Sequence, residues 1–265
     1  MTERVIRVEL EYDGTEFAGW QVQPGLRTVQ GEVERALHLL THEETRVHAA
    51  GRTDAGVHAL GQVVSFPTRS GIPGERFAPG LSRFLAADAV AKRSSEEPQG
   101  FHARYSAVGK TYRYVALLCR GRRPVTGRHV WEVWPPPDPG PMREAAEAAA
   151  GEHDFEPFAA SGRMPGSTVR RLTEASVTEV GAGEDGPLGP VGGERAAVFV
   201  FRGNGFLYKM VRNLVGTLVE IGQGKRSRDA VSEALRSGDR RHVGQTAPAK
   251  GLTLVGVEYP PELDW

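Results

Sequence analysis

The sequence predicts an α+β fold: two similar α/β halves sharing a largely antiparallel mixed sheet, with helices on its outer face. Three observations carry the prediction. Residues 4–12 alternate strictly between apolar and polar, the period-2 signature of a half-buried strand, and further strand-like runs recur in both halves. Apolar residues at helical spacing also occur in both halves, within 29–40 and within 206–218. No regular strand–helix alternation links them, which argues against a parallel, doubly wound sheet. The 265 residues, 39% of them apolar and 25% charged, are enough to bury a core in one large domain or two smaller ones. The expected division is 1–107 and 108–265.

In the first strand Ile6, Val8, Leu10 and Tyr12 point one way and Arg7, Glu9 and Glu11 the other, until Asp13-Gly14 ends it. Thr28 has the chemistry of a helix N-cap, and Val29, Val33, Ala36, Leu37 and Leu40 follow it at helical spacing. Two short strand-like runs, 46–50 and 61–66, bracket a loop at 51–58. A helix is expected near 75–87 and extended segments near 89–94 and 101–107. The second half opens with a strand over 111–117. The run Trp134-Pro135-Pro136-Pro137-Asp138-Pro139 is excluded from helices and strand interiors. An Ala/Glu-rich helix follows at 141–150, then strands at 168–180 and 196–202. The Gly/Pro-rich segment 181–193 between them reads as a surface hairpin or loop. Helices near 205–222 and 227–237 and a strand at 252–259 complete the chain.

Charge is balanced, with 33 basic and 33 acidic residues. That argues against a non-specific DNA coat, and DNA is not an expected partner. The distribution is uneven. Residues 101–130 hold Arg104, Lys110, Arg113, Arg120, Arg122, Arg123 and Arg128 and no acid. Such a stretch is either a solvated face or a surface for a polyanion.

Several classes are excluded by inspection. One cysteine, Cys119, cannot supply a disulfide framework or a zinc site built on several thiolates. It follows an apolar strand and is expected to pack there. The opening residues lack the apolar run of a secretory leader. The longest apolar stretch, 206–221, is interrupted by Lys209, Arg212, Asn213 and Glu220. The expected location is therefore cytoplasmic, with no membrane partner. There is no Gly-Lys-Ser/Thr phosphate loop, no dinucleotide fingerprint and no His-Glu-x-x-His pair.

The segment Ala50-Gly51-Arg52-Thr53-Asp54-Ala55-Gly56-Val57-His58-Ala59 stands apart. Its two glycines permit a sharp turn and a close ligand, and Asp54 lies two residues from Arg52. A carboxylate kept charged by a nearby guanidinium serves as nucleophile or base. A turn-capping aspartate has the same local sequence, and the residues alone leave both readings open.

This loop resembles the signature of the tRNA pseudouridine synthases, and the chain resembles their TruA family nearly end to end. The shared segments are Glu11-Tyr12-Asp13-Gly14 with Gly19-Trp20-Gln21, the loop at 51–58, and Gly61-Gln62-Val63-Val64. They continue with Phe101-His102-Ala103-Arg104-Tyr105-Ser106-Ala107 and Lys110-Thr111-Tyr112-Arg113-Tyr114. Asn204-Gly205-Phe206-Leu207, Met210-Val211-Arg212-Asn213, Val215-Gly216 and Gly251-Leu252 close the series. Their joint order and spacing, rather than any one tripeptide, makes the resemblance specific. Segment 181–193 departs from the pattern as a surface insertion.

The resemblance implies a pseudouridine synthase fold with a central RNA-binding cleft, a homodimer, and a tRNA substrate. The uridines would be those at nucleotides 38, 39 and 40 of the anticodon arm. It places the catalytic aspartate at Asp54 and the base-stacking tyrosine at Tyr112. Arg52 matches an arginine that contacts tRNA and holds the base out of the stack. Arg212 is the candidate arginine partner of the aspartate, and Leu252 a candidate wall of the uracil pocket. RNA contacts are implied for Phe101, His102, Ala103, Arg104 and Tyr105, for the stretch around Thr168–Leu172 with Arg170, and in the basic stretch for Lys110 and Arg120. Because the reaction exchanges an N1–C1′ bond for a C5–C1′ bond on one ribose, no cofactor, metal or ATP is required.

Read without the resemblance, Tyr112 alternates with Tyr114 as a core residue of a strand. Arg212 is then a surface arginine on a helix whose Phe206, Met210, Leu214 and Leu218 are spaced by four. Trp131 and Trp134 are expected to pack around the proline run. Two rival functions fit subsets of these features: a non-catalytic RNA-binding module using residues 101–130, and a hydrolase or nucleoside glycosylase in which Asp54 activates water.

Overall fold

A computed structural model describes residues 3–160, 166–181 and 194–265. The chain is mixed α/β, with a large, mostly antiparallel mixed sheet and, among the described residues, five α-helices. It divides into two compact units, one formed by residues up to 110 together with 253–265, the other by 111–252. Apart from Gly181, the Gly/Pro-rich segment 181–193 lies outside the described residues.

In the first unit, β1 (Arg4–Tyr12) pairs antiparallel with β3 (His58–Thr68) on one side and β4 (Ala89–Glu97) on the other. The two-residue β2 (His48–Ala49) also pairs with β3. β10 (Leu252–Glu258) runs parallel to β3, with Thr253 opposite His58 and Leu254 opposite Ala59. The division expected at 107/108 put this last strand with the C-terminal half. Pairing with a strand from the opening quarter of the chain sends it back to the N-terminal unit instead, and a sequence pattern carries no trace of such a partner.

Helix α1 (Val29–Thr41) begins as the sequence predicts, with Thr28 Oγ1 accepting from the Gly31 amide, and it buries Val29, Val33, Ala36 and Leu37. The helix expected near 75–87 is shorter: a 3₁₀ turn at Gly74–Arg76 leads into α2 (Phe77–Ser82). Its Phe77 meets Phe66 of β3 edge-on, with ring centres 5.6 Å apart.

The polar face of β1 is buried at Arg7 and Glu9, while Glu11 stays partly exposed. Arg7 is 2% exposed, ion-paired with Glu97 at 2.9 Å, and its guanidinium lies 3.9 Å from the Trp265 ring centre. Phe101, Ala103, Tyr259, Val63 and Ala50 build a second small core in this unit. Residues 101–107, expected to be extended, form a turn closed by Ser106 N donating to His102 O (2.9 Å). Ser106 Oγ in turn accepts from the His102 amide, which satisfies the turn from within.

In the second unit the strand order is β5 (Gly109–Leu117), β9 (Ala196–Gly203), β8 (Val169–Val180) and β7 (Gly151–Asp154). The short β6 (Trp131–Glu132) lies beside β5. β6 and β7 were not expected: one is two residues long, and the other, Gly-Glu-His-Asp, has no apolar alternation. Helix α3 (Pro139–Glu147) starts on Pro139 itself, capped by Asp138. Proline is excluded from helix interiors but suits the first turn, so the proline run reaches one residue into the helix. Cys119 packs at 6% exposure, as expected.

Helix α4 (Met210–Gly222) starts later than the apolar spacing predicts, because Lys209 adopts a left-handed conformation (φ +60°) that a continuous helix excludes. Behind it, α5 (Ala230–Ser237) packs Ala230, Val231 and Ala234 inward. Among the described residues, no helix is long and apolar enough to cross a membrane.

Candidate active site

The loop between β2 and β3 carries Arg52 and Asp54. It leaves the sheet where Ala50 N donates to Val63 O (2.8 Å) and closes in a turn where Val57 N donates to Asp54 O (3.1 Å). Arg52 is exposed, Asp54 is half-buried, and Thr53 between them is 7% exposed. Residues distant in sequence hold this loop. Trp20 N donates to Thr53 O (2.9 Å) and Gln62 Nε2 to Gly51 O (2.7 Å). Thr53 Oγ1 lies 2.8 Å from the Tyr12 hydroxyl, and Gly14 N donates to His58 Nδ1 (3.1 Å).

Gly19 sits against the loop at φ +93°. A Cβ there would lie 3.0 Å from both the Ala55 nitrogen and the Thr53 oxygen. Only glycine gives both that backbone angle and that approach. The separate segments 11–14, 19–21 and 61–64 thus converge on the loop that carries Asp54. Sequence inspection singled out these segments but assigned Tyr12, Gly19, Trp20 and Gln62 no role. Their clustering depends on strand pairing, which no local signal reports.

The second unit carries Tyr112, Arg212 and Leu252. Tyr112, on β5, is 8% exposed and meets Phe206 edge-on, ring centres 5.0 Å apart. Two residues on, buried Tyr114 donates its hydroxyl proton to Pro248 O (2.8 Å). Arg212, on α4, is half-buried. Its Nε donates to Ala247 O (2.8 Å), while the Ala247 amide returns a bond to Arg212 O (3.0 Å). Leu252, at the start of β10, is 6% exposed.

Helix α4 holds the whole 244–247 segment in this way. Thr217 Oγ1 accepts from Gly244 N (2.8 Å), and Asn213 Oδ1 accepts from Thr246 Oγ1 (2.6 Å). Gly216 allows the contact, since a Cβ there would fall 1.7 Å from Gln245 O. The guanidinium of Arg212 is therefore fixed by the backbone that leads to Leu252.

The sequence model of a family described as tRNA pseudouridine synthase matches residues 10–106 and 145–260. The tRNA pseudouridine synthase A of Acetivibrio thermocellus is 42% identical over 256 residues, 97% of this chain and all of the relative. The proteins of that name from Moorella thermoacetica and Brevibacillus brevis are 44% and 43% identical, each covering 96% of this chain and 99% of the relative. The chain belongs to the tRNA pseudouridine synthase family.

As a tRNA pseudouridine synthase it is an isomerase. The remaining residues expected to meet RNA divide by orientation. Phe101 and Ala103 are buried. The Ala103 amide donates to Ser65 Oγ (2.9 Å), and its carbonyl accepts from the Tyr259 hydroxyl (2.7 Å). Their side chains serve the core, and the outward groups of that segment are His102, Arg104 and Tyr105.

Tyr105 is 77% exposed. Its ring lies 4.4 Å from that of His102, which in turn lies 4.9 Å from His48, a residue that no sequence motif marks. Arg104 Cζ is 5.6 Å from the Tyr105 ring centre. Burial and the neighbouring His48 hold the His102 imidazole below its usual pKa. Lys110 is half-buried and Arg120 exposed. Arg170, on β8, is half-buried, its Nη1 donating to Ser167 O (2.8 Å) and Val169 O (2.6 Å).

Within the basic stretch, Arg123 is committed to Glu194, whereas Arg120, Arg122 and Arg128 are exposed. Of the two tryptophans, Trp131 packs edge-on to Tyr114 (6.3 Å), but Trp134 is 57% exposed rather than packed.

Proposed function

We propose that this enzyme converts uridines 38, 39 and 40 of the tRNA anticodon arm to pseudouridine, with Asp54 as its catalytic carboxylate. It would work as a homodimer in the cytoplasm. The observation that carries the reading is the Asp54 loop, a family motif held through the backbone carbonyls of Gly51, Thr53 and Asp54 and through the His58 ring, while the carboxylate-bearing residue stays half-buried. A carboxylate that reacts must be both fixed and reachable.

The roles follow. A stacked uridine is drawn out of the RNA at a cost of a few kcal/mol. The Tyr112 ring receives the uracil face and offsets about 1–3 kcal/mol of that cost. Arg52 occupies the space the base leaves, Arg212 is the catalytic guanidinium, and Leu252 is an apolar wall for the uracil. The N1–C1′ bond breaks and a C5–C1′ bond forms on the same ribose. N1 takes up a proton, and C5 gives up its hydrogen to solvent. Phosphates are held by His102, Arg104, Lys110, Arg120 and Arg170, with Tyr105 beside them.

The test is tritium release from tRNA labelled at uracil C5. Asp54→Asn keeps the shape of the side chain but neither attacks nor accepts a proton. The variant is expected to release no tritium above background, with thermal midpoint and tRNA Kd close to those of the parent. Asparagine is itself a good turn residue, so release within tenfold of the parent would make Asp54 structural. Free uracil among the products would favour the glycosylase reading.

A further inference from the structure

The side chains that hold the Asp54 loop form a hydrogen-bonded chain of their own. Gln62 is fully buried, and its Nε2 donates to Gly51 O at 2.7 Å. A carbonyl only accepts, so this contact decides which end of the amide faces the loop. Gln62 Oε1 is buried and takes no hydrogen bond among the described residues, so the donor end alone sets the orientation. The same Nε2 lies 3.4 Å from the Tyr12 hydroxyl, whose oxygen is the acceptor there. The Tyr12 hydroxyl and Thr53 Oγ1 lie 2.8 Å apart and share a hydrogen bond that either can donate. Burial pushes the Tyr12 pKa up to about 12, so the hydroxyl stays protonated at neutral pH. Thr53, one residue before Asp54, is thus held by its side chain through Tyr12 and by its carbonyl through the Trp20 amide.

We propose that Tyr12 is a positioning residue for Asp54: its hydroxyl, oriented by Gln62, fixes Thr53 and with it the direction in which the neighbouring carboxylate is presented. The proposal rests on the reading of Asp54 as the catalytic carboxylate. None of the three side chains needs to touch uracil. Their effect falls on the rate of the chemical step and not on tRNA affinity, since small misplacement of a reacting group is costly while remote phosphate contacts are unaffected.

The experiment measures single-turnover tritium release and tRNA Kd for Tyr12→Phe, Thr53→Val, Thr53→Ser and the double variant Tyr12→Phe/Thr53→Val. Tyr12→Phe and Thr53→Val should each slow release by about tenfold to a hundredfold, with Kd unchanged within about twofold. The double variant should be no slower than the slower single, because both remove one interaction. Thr53→Ser, which keeps the hydroxyl, should recover most of the rate. Hydrogen exchange adds a readout independent of activity: the Val57 amide, bonded to Asp54 O, should exchange faster in Tyr12→Phe.

Should Tyr12→Phe not fold, Thr53→Val against Thr53→Ser carries the same comparison. Parental rates in Tyr12→Phe and Thr53→Val beside an inactive Asp54→Asn would overturn the positioning role alone. An active Asp54→Asn would instead overturn the underlying assignment, and the positioning role with it.

Discussion

The backbone on either side of Asp54 is held in part by residues that bear no charge. Gly19 shows how narrow the tolerance is. Its positive φ and its 3.0 Å approach to the loop backbone are both unavailable to alanine. Gly19→Ala should destabilise the protein by about 1–3 kcal/mol, read as a shift of the denaturant midpoint. It should also slow tritium release by more than the loss of folded protein accounts for, because the displaced atoms belong to Thr53, Asp54 and Ala55. A variant with lower stability but a parental rate per folded molecule would separate the glycine from the site. Arg7, a buried cation in the first strand, depends on its immediate neighbours in the same way. Glu97, the Leu263 carbonyl (2.5 Å) and the rings of Phe101, Tyr259 and Trp265 make burial of the charge tolerable.

Among the elements, the turn at 101–106 does two jobs on alternate residues. Phe101 and Ala103 anchor it to the core, and His102, Arg104 and Tyr105 project from it. Its histidine gives the turn a pH dependence of definite sign. Burial, the nearby His48 and Arg104 lower the folded-state pKa of His102 below its ordinary value of 6.5. The unfolded chain therefore takes up this proton at higher pH than the folded chain does. The contribution of His102 to stability is intact above about pH 6.5 and is lost as pH falls through that value towards the folded pKa. His102→Gln should lose less stability than the parent between pH 7 and pH 5 in denaturant titrations. Equal losses in the two proteins would assign the acid sensitivity to other groups.

For the whole molecule, the informative quantity is the arrangement of charge rather than its sum, which is zero. Binding of tRNA should weaken steeply with salt, because each phosphate contact releases counterions. Arg104→Ala should weaken binding and reduce the slope of log K against log salt by about 0.7–0.9, the equivalent of one contact. An unchanged slope would remove Arg104 from the RNA surface. The proposed homodimer is checked by mass in solution at micromolar concentration. A monomer with full activity would reject it.

The sequence by itself determined the fold class, most strands and helices, and the identity of the motif residues, because each of these is written in local periodicity, turn chemistry or motif spacing. It read β1, the Thr28 cap and the loop around Asp54 correctly, and it placed Asp54 among the residues worth testing. Three kinds of feature were decided only by tertiary structure. Covering of the polar face of β1 depends on Phe101, Tyr259 and Trp265, which lie far along the chain. The return of β10 to β3 depends on a pairing between distant strands. The support of Asp54 by Tyr12, Gly19, Trp20 and Gln62 depends on both the pairing of β1 with β3 and the path of the turn after β1. A hydrogen bond between residues as far apart in the chain as Tyr12 and Thr53 leaves no periodicity behind. It exists only once strand register has brought donor and acceptor within 2.8 Å.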